Sequence, residues 1–231
     1  MKSRGLGDHW KEIYATYLKI PSVYDKTNRY ISLFQDIGWR REVLGIIANR
    51  LRNVKRILIL DAGSGPGTMS DILREEIKAN TVLLDYSVPM LNIANKKYER
   101  IQGSFENMPF RSGIFDSVIM GFSFHSSIDM EETVGELARV SKRYLAIVGI
   151  GKSAGKTNMA LGKIYLRYVM PFLAYVASPK HAKYFKKIER IYAYIPDNLE
   201  MHRMLMKRFS TIRFAEKEFG TLFQFVGEKR D

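Results

Sequence analysis

ILDAGSGPGT, residues 59–68, joins a buried apolar run to the start of a helix. Upstream, RILILDAG (56–63) reads as a strand, and downstream Thr68–Lys78 reads as a helix. Gly63, Gly65 and Gly67 let the chain turn sharply and let backbone approach a ligand with no Cβ in the way. The helix start beyond them favours an anionic group. The spacing is G-x-G-x-G; the dinucleotide fingerprint needs glycine at position 68, which is Thr68. A second feature accompanies the loop. TVLLD (81–85) reads as the next strand and ends in Asp85. An acid there can accept two hydrogen bonds from a ribose diol; its plainer role is to cap the next helix. The loop and the acid together favour a ribose-containing ligand.

A rival glycine loop, VGIGKSAGKT (148–157), looks like a phosphate-binding P-loop. That motif places glycine five residues before its final Gly-Lys-Thr, at position 150, and position 150 is Ile. The frame ending Gly151-Lys152-Ser153 needs glycine at 146, which is Ala146. The spacing is what wraps N–H groups around a phosphate, so this loop reads as a connection leaving the sheet.

The pattern repeats outward. Pro89–Tyr98 reads as a helix, FDSVIMGF (115–122) as a strand, Met130–Val140 as a helix and YLAIVGI (144–150) as a strand. Strands alternating with helices predict an α/β domain with a parallel sheet. Helices are expected over 8–20 and 36–53, helical structure over 158–195, and a further helix over Asn198–Lys207. FSTIRFAEKEF (209–219) and TLFQFVGEK (221–229) read as a closing strand pair, antiparallel if joined as a hairpin. The whole chain, 1–231, is expected to be one domain. It divides into an N-terminal helical cap (1–53), a ligand-binding core (54–150), a basic aromatic helical lid (151–195), and a closing helix and strands (196–231).

Composition narrows the field. The 231 residues are 46% hydrophobic and contain no cysteine, so disulfides, cysteine metal sites and thiol catalysis are excluded, and no metal site is expected. Neither an N-terminal signal sequence nor an apolar stretch of membrane-spanning length is read. The expected location is cytoplasmic, with peripheral membrane attachment left open. Net charge is +13, and residues 151–231 hold 16 Lys/Arg against 7 Asp/Glu. Such a balance suits an anionic partner or simply a solvated basic face.

Taken together, these segments resemble a class I S-adenosylmethionine-dependent methyltransferase, and more narrowly the UbiE/MenG-type quinone C-methyltransferases. The likeness is carried by VYDKTNRYISLFQDIGWRREV (23–43), ILDAGSGPG (59–67), LLDYSVPMLNIANKK (83–97), GSFENMPFRSGIFDSVIMGFSF (103–124) and ELARVSK (136–142). It implies a Rossmann-like class I methyltransferase fold with a mostly parallel sheet, an antiparallel last strand and a helical insertion before the last helix. It also implies S-adenosyl-L-methionine as cofactor. By resemblance, Asp61, Gly63 and Gly65, in the loop with Gly67, cradle the methionine part. Asp85 holds the ribose, Tyr86 and Met90 line the adenine side, and Ser104 and Phe105 lie at the adenine edge, Ser104 standing where the family has Asp or Asn. Gly121 and Phe122 fall near the methyl sulfonium, and Tyr24 and Asn28 close the site. For Met90 and Phe122, core packing is an equal alternative.

The resemblance implies C-methylation of an isoprenoid quinone precursor or similar lipophilic phenol. A ring carbon needs an adjacent hydroxyl deprotonated, hence a base. Where the family carries Arg and Asn, this chain has His125 and Ser126. His125 is expected to titrate near neutrality and serve as that base, a structural role being the equal alternative, with Ser126 toward the substrate. Asp129 either orients His125 or caps the following helix. The substitution also leaves open another small-molecule acceptor. The lid's aromatic and basic content suits a lipophilic acceptor held at an anionic membrane surface. RNA methylation is the weaker alternative, since no N/D-P-P-Y/F tetrapeptide follows the strand ending in GFSF. A non-catalytic cofactor-binding protein is a further alternative, and a homodimer is left open.

Overall fold

The computed structural model describes residues 5–185 and 188–230. The first four residues of the expected cap and residues 186–187 of the expected lid lie outside them.

Seven strands form one sheet in the order β3-β2-β1-β4-β5-β7-β6. They are β1 Leu58–Ala62, β2 Asn80–Asp85, β3 Glu99–Gln102, β4 Phe115–Gly121, β5 Ser141–Ile150, β6 Phe209–Lys217 and β7 Leu222–Lys229. The first five run parallel; β7 is antiparallel to both β5 and β6, between which it lies. The α/β fold, mostly parallel sheet and antiparallel last strand are thus as expected.

The central strands β1, β4 and β5 are apolar on both faces, which is what a sheet covered on both sides requires. Alternation decides which residue faces which layer. Leu60, Val118, Leu145 and Ile147 join one core with Phe223 and Phe225. Ile59, Ile119, Ala146 and Val148 join the other with Leu222 and Val226. The first core is completed by α6 (Met130–Val140) and α11 (Asn198–Met206). The second is completed by α3 (Asp36–Leu51) and α4 (Thr68–Glu76), through residues such as Val43, Leu44, Ile47 and Ile72.

Three elements depart from the sequence expectation. The helix read as Pro89–Tyr98 is shorter: α5 covers Val88–Ile93 and stops where Ala94 takes an extended conformation. The residues thereby freed make β3 possible, a four-residue edge strand with polar, mostly exposed side chains. At the N-terminus, α1 (Trp10–Tyr17) is followed by a further helix, α2 (Tyr24–Ile31). The insertion between β5 and α11 is helical, as expected: α7 (Lys156–Ile164), a π-helical turn (Tyr165–Val169), α8 (Met170–Ala177), α9 (Ala182–Phe185) and α10 (Ile188–Tyr194).

Buried Asn198 ties this insertion down. It accepts from the Lys152 N–H (2.8 Å) and donates to the Gly220 carbonyl (2.9 Å), joining the end of β5, the start of α11 and the β6–β7 turn.

Candidate active site

Strand order reverses between β1 and β4, so a crevice opens at their carboxyl ends. The loop after β1 and the loop after β4 meet there: the Ser123 hydroxyl donates to the Ala62 carbonyl at 2.9 Å. Gly63 (φ 70°) and Gly65 (φ 53°) both take left-handed backbone. A Cβ on Gly63 would come within 2.4 Å of the Ser123 Cβ and 2.7 Å of the Phe105 ring. The glycine is required by this close approach.

A chamber occupies the crevice. Its wall includes Gly63, Gly65, Asp85, Tyr86, Met90, Ser104, Phe105, Gly121 and Phe122, all expected ligand contacts, together with Tyr24 and Ser126. The Asp85 carboxylate accepts the Gly65 N–H (2.8 Å) through one oxygen and the Ser87 N–H (2.7 Å) through the other. Each oxygen keeps a further acceptor site, so a diol can still be held. Burial raises the Asp85 pKa, and those two N–H groups oppose the shift.

Two expected contacts stand behind the wall. Asp61 is fully buried; its Oδ2 accepts the Ser70 hydroxyl at 2.6 Å and the Ser70 N–H at 3.2 Å, while its Oδ1 has no hydrogen-bond partner. Burial pushes its pKa up to about 6. Gly67 caps α4 in left-handed backbone (φ 91°), and a Cβ there would meet Leu83 rather than the chamber. These two shape the loop from beneath.

Several wall residues were not singled out from the sequence. Trp10, Tyr14 and Tyr17 of α1 close one side, and Tyr86 sits edge-on to Trp10 and Tyr14 at ring centroid distances of 5.4 and 4.9 Å. Their spacing on one helix face was the available signal. Arg40 of α3 also lines the chamber. It is only 3% exposed, its guanidinium lies 4.8 Å from the Phe122 ring centroid, and its Nε has no hydrogen-bond partner. No carboxylate forms an ion pair with it among the described residues. A buried unpaired cation is costly. A ligand with a carboxylate would relieve that cost, and S-adenosylmethionine has one, beside a ribose suited to Asp85.

Behind Phe122 lies a second chamber. Asn28, Trp39, His125, Ile150, Tyr165, Leu166, Met170 and Leu222 contribute to it, and Tyr17, Tyr24 and Phe122 line both chambers. Phe122, with φ 58°, is held in left-handed backbone that a bulky residue rarely adopts. His125 is 2% exposed. The Tyr17 hydroxyl lies 3.4 Å from both His125 Nε2 and the Ser126 hydroxyl, while His125 Nδ1 has no partner. The expectation of a histidine titrating near neutrality is corrected: burial pushes its pKa down to about 4. Asp129 does not hydrogen-bond to it among the described contacts. Its carboxylate caps α6, accepting the N–H groups of Glu131 (2.8 Å) and Glu132 (3.2 Å). Ser126 faces the first chamber.

The rejected loop at 148–157 is indeed a connection. The ammonium of Lys152 donates to the Ile195 carbonyl and lies 5.8 Å from the Tyr192 ring centroid, so it is committed to the lid.

Comparison with known proteins agrees with this geometry. Residues 60–145 match a methyltransferase-domain family. A demethylmenaquinone methyltransferase from Thermus thermophilus is 28% identical, over 92% of this chain and 99% of the relative. One from Tropheryma whipplei is 30% identical, over 77% of this chain and 75% of the relative. The crystal structure of an S-adenosylmethionine-dependent methyltransferase from Aquifex aeolicus shares the fold, with TM-score 0.54 and 18% identity over 83% of this chain and 93% of that one. The fold and crevice are those of a class I S-adenosylmethionine-dependent methyltransferase. The chain belongs to the same methyltransferase family as the demethylmenaquinone methyltransferases that it resembles.

None of the described helices is long and apolar enough to cross a membrane, and the described residues hold no cluster of metal-ligand type.

Proposed function

We propose that this enzyme methylates a ring carbon of a lipophilic phenol, of the demethylated isoprenoid quinol class on which its relatives act by name. The observation that carries the reading is the apolar chamber behind Phe122, which shares Tyr17 and Tyr24 with the cofactor chamber and is lined in part by His125.

S-adenosylmethionine, when bound, supplies an already activated methyl group, so the chain's task is alignment and proton handling. Asp85 would hold the ribose and Arg40 the methionine carboxylate. Burial keeps the Tyr17 and Tyr24 phenols protonated, so both serve as donors to the acceptor's oxygens. The acceptor's hydroxyl proton passes to His125, which makes the adjacent ring carbon nucleophilic. The ring-carbon proton is lost as aromaticity returns and the hydroxyl is restored, so one proton leaves overall. Burial alone makes His125 a weak base. Negative charge forming on the acceptor oxygen raises its proton affinity at that moment.

One observation favours a second reading, a different lipophilic phenol: His125 and Ser126 replace the Arg and Asn expected by resemblance.

The test is transfer of a labelled methyl group to a detergent-solubilised demethylated quinol. The expected result is turnover that falls about 100-fold in His125→Gln, while binding of S-adenosylhomocysteine is unchanged. Full turnover in that variant would remove His125 from the chemistry, and no transfer to any quinol would overturn the acceptor class.

A further inference from the structure

The lid has two apolar faces. Leu166, Met170 and Ala174 pack into the core. The other face is turned to solvent: Ile164 is 53% exposed, Tyr168 63%, Phe172 63% and Tyr175 58%. Spacings of four, four and three residues put these on one side of the helical run from α7 to α8.

Two neighbouring turns have the same character. Leu33 (56% exposed) and Phe34 (63%) form the tip between α2 and α3, and Phe219 (59%) the tip between β6 and β7. All three hold left-handed backbone, at φ 51°, 65° and 57°. Bulky apolar residues kept both exposed and strained mark a contact surface, because each feature costs stability and neither serves packing.

The three segments surround one opening. Leu33, Phe219 and Tyr165 line the acceptor chamber. The Tyr165 hydroxyl donates to the Ile31 carbonyl at the end of α2, α8 packs on α2, and α7 packs on the turn holding Phe219.

Charge identifies the partner. No Asp or Glu occurs from Gly151 to Phe185, while Lys163, Arg167, Lys180 and Lys183 are exposed there. Glu218 adds one carboxylate at the rim. Aromatic and aliphatic side chains flanked by cations match the interface of an anionic bilayer, where rings sit at headgroup depth and cations meet lipid phosphates. We propose that this face docks on an anionic lipid bilayer and seats the mouth of the acceptor chamber on it, so that a lipid acceptor enters from the membrane. Its purpose rests on the lipophilic-acceptor reading; its binding surface does not.

The experiment is co-sedimentation of the full chain with phosphatidylcholine vesicles, with and without about 30% phosphatidylglycerol. The comparison is a triple variant, Phe34→Asn, Tyr168→Ser, Phe172→Ser. None of these residues lines either chamber, and Asn tolerates left-handed backbone. Retained S-adenosylhomocysteine binding shows that the variant is folded. Expected are binding to the anionic vesicles, at least about 10-fold weaker binding without phosphatidylglycerol or in about 0.5 M salt, and a similar loss in the variant. Equal binding by the variant, no vesicle binding, or a dimer in solution that the variant dissociates would each overturn docking. Methyl transfer in detergent without vesicle binding overturns docking and leaves the acceptor reading standing. Vesicle binding without transfer supports docking and counts against the acceptor class.

Discussion

Arg40 and His125 are buried ionisable groups that answer to different partners. Arg40 forms no ion pair among the described residues; the Phe122 ring and the charges of Asp25 and Asp61 offset part of its desolvation, and a bound anion would offset more. Arg40→Met is expected to fold. S-adenosylhomocysteine binding, read by calorimetry, weakens by about 10- to 150-fold, the range for hydrogen bonds to a charged group. Unchanged affinity would show that Arg40 does not hold the carboxylate. His125 acts through pH. Its folded pKa is about 4 against an ordinary value of 6.5, so the unfolded chain takes up the proton first as pH falls. Stability from neutral His125 is whole above 6.5 and lost on the way down to 4, at most about 3 kcal/mol for this buried group. Asp61 works the other way. Its folded pKa is raised from 3.8 to about 6, so its contribution is whole below 3.8 and lost as pH rises through 6. Urea midpoints from pH 7 down to pH 4 should fall less steeply in His125→Gln than in the wild type, and more steeply in Asp61→Asn. His125's place in the site was legible from its position after β4, but its pKa was not, because burial by the folded chain sets it. Arg40 follows Trp39 in a segment that carries the resemblance, but no role for it is legible there, because the chamber it lines is assembled only in the fold.

Elements whose burial is periodic were legible from sequence. β1, β4, β5 and α6 fall close to the expected positions because two apolar layers impose a repeat on them. β3 has no such repeat: it is a polar edge strand held by its ladder to β2, from Val82–Glu99 to Asp85–Gln102. α1 was legible as a helix, yet its service as a chamber wall was not, since the ring contacts to Tyr86 span more than seventy residues. At the start of α6, the sequence left Asp129 with two roles, and the geometry favours the cap. Asp129→Ala then costs about 1 kcal/mol of stability. The rate of methyl transfer at a temperature where the variant is folded stays within about twofold, because a cap contributes to helix stability and not to proton transfer. A loss of turnover matching that of His125→Gln would restore Asp129 to the catalytic group.

At the scale of the whole molecule, the chain has built two rooms with one wall. The sheet's switch point and its glycine loops supply the cofactor chamber. The lid, α2 and α3 supply the chamber proposed for the acceptor, and Phe122 divides the two in strained backbone, with its neighbours Tyr17 and Tyr24 facing both. The sequence announced the first room through local spacing around residues 59–68 and 85. The second is assembled from distant segments that carry no shared motif, so only the fold reveals it. The chain's two tryptophans fall one to each room, Trp10 in the cofactor chamber and Trp39 in the acceptor chamber. Each is therefore a local reporter. In Trp39→Phe, where Trp10 alone emits, S-adenosylhomocysteine should change the emission and a quinol analogue added alone should not. In Trp10→Phe, the quinol analogue should change the Trp39 signal. Trp39 lies 6.5 Å from Phe122 between ring centroids, so prior saturation with S-adenosylhomocysteine should tighten the analogue's binding if the wall moves as one unit. Coupling of this kind is reciprocal, so within one variant the analogue tightens S-adenosylhomocysteine by the same factor. If Trp10 failed to respond to S-adenosylhomocysteine, or Trp39 to the quinol analogue, the two-room assignment would be wrong.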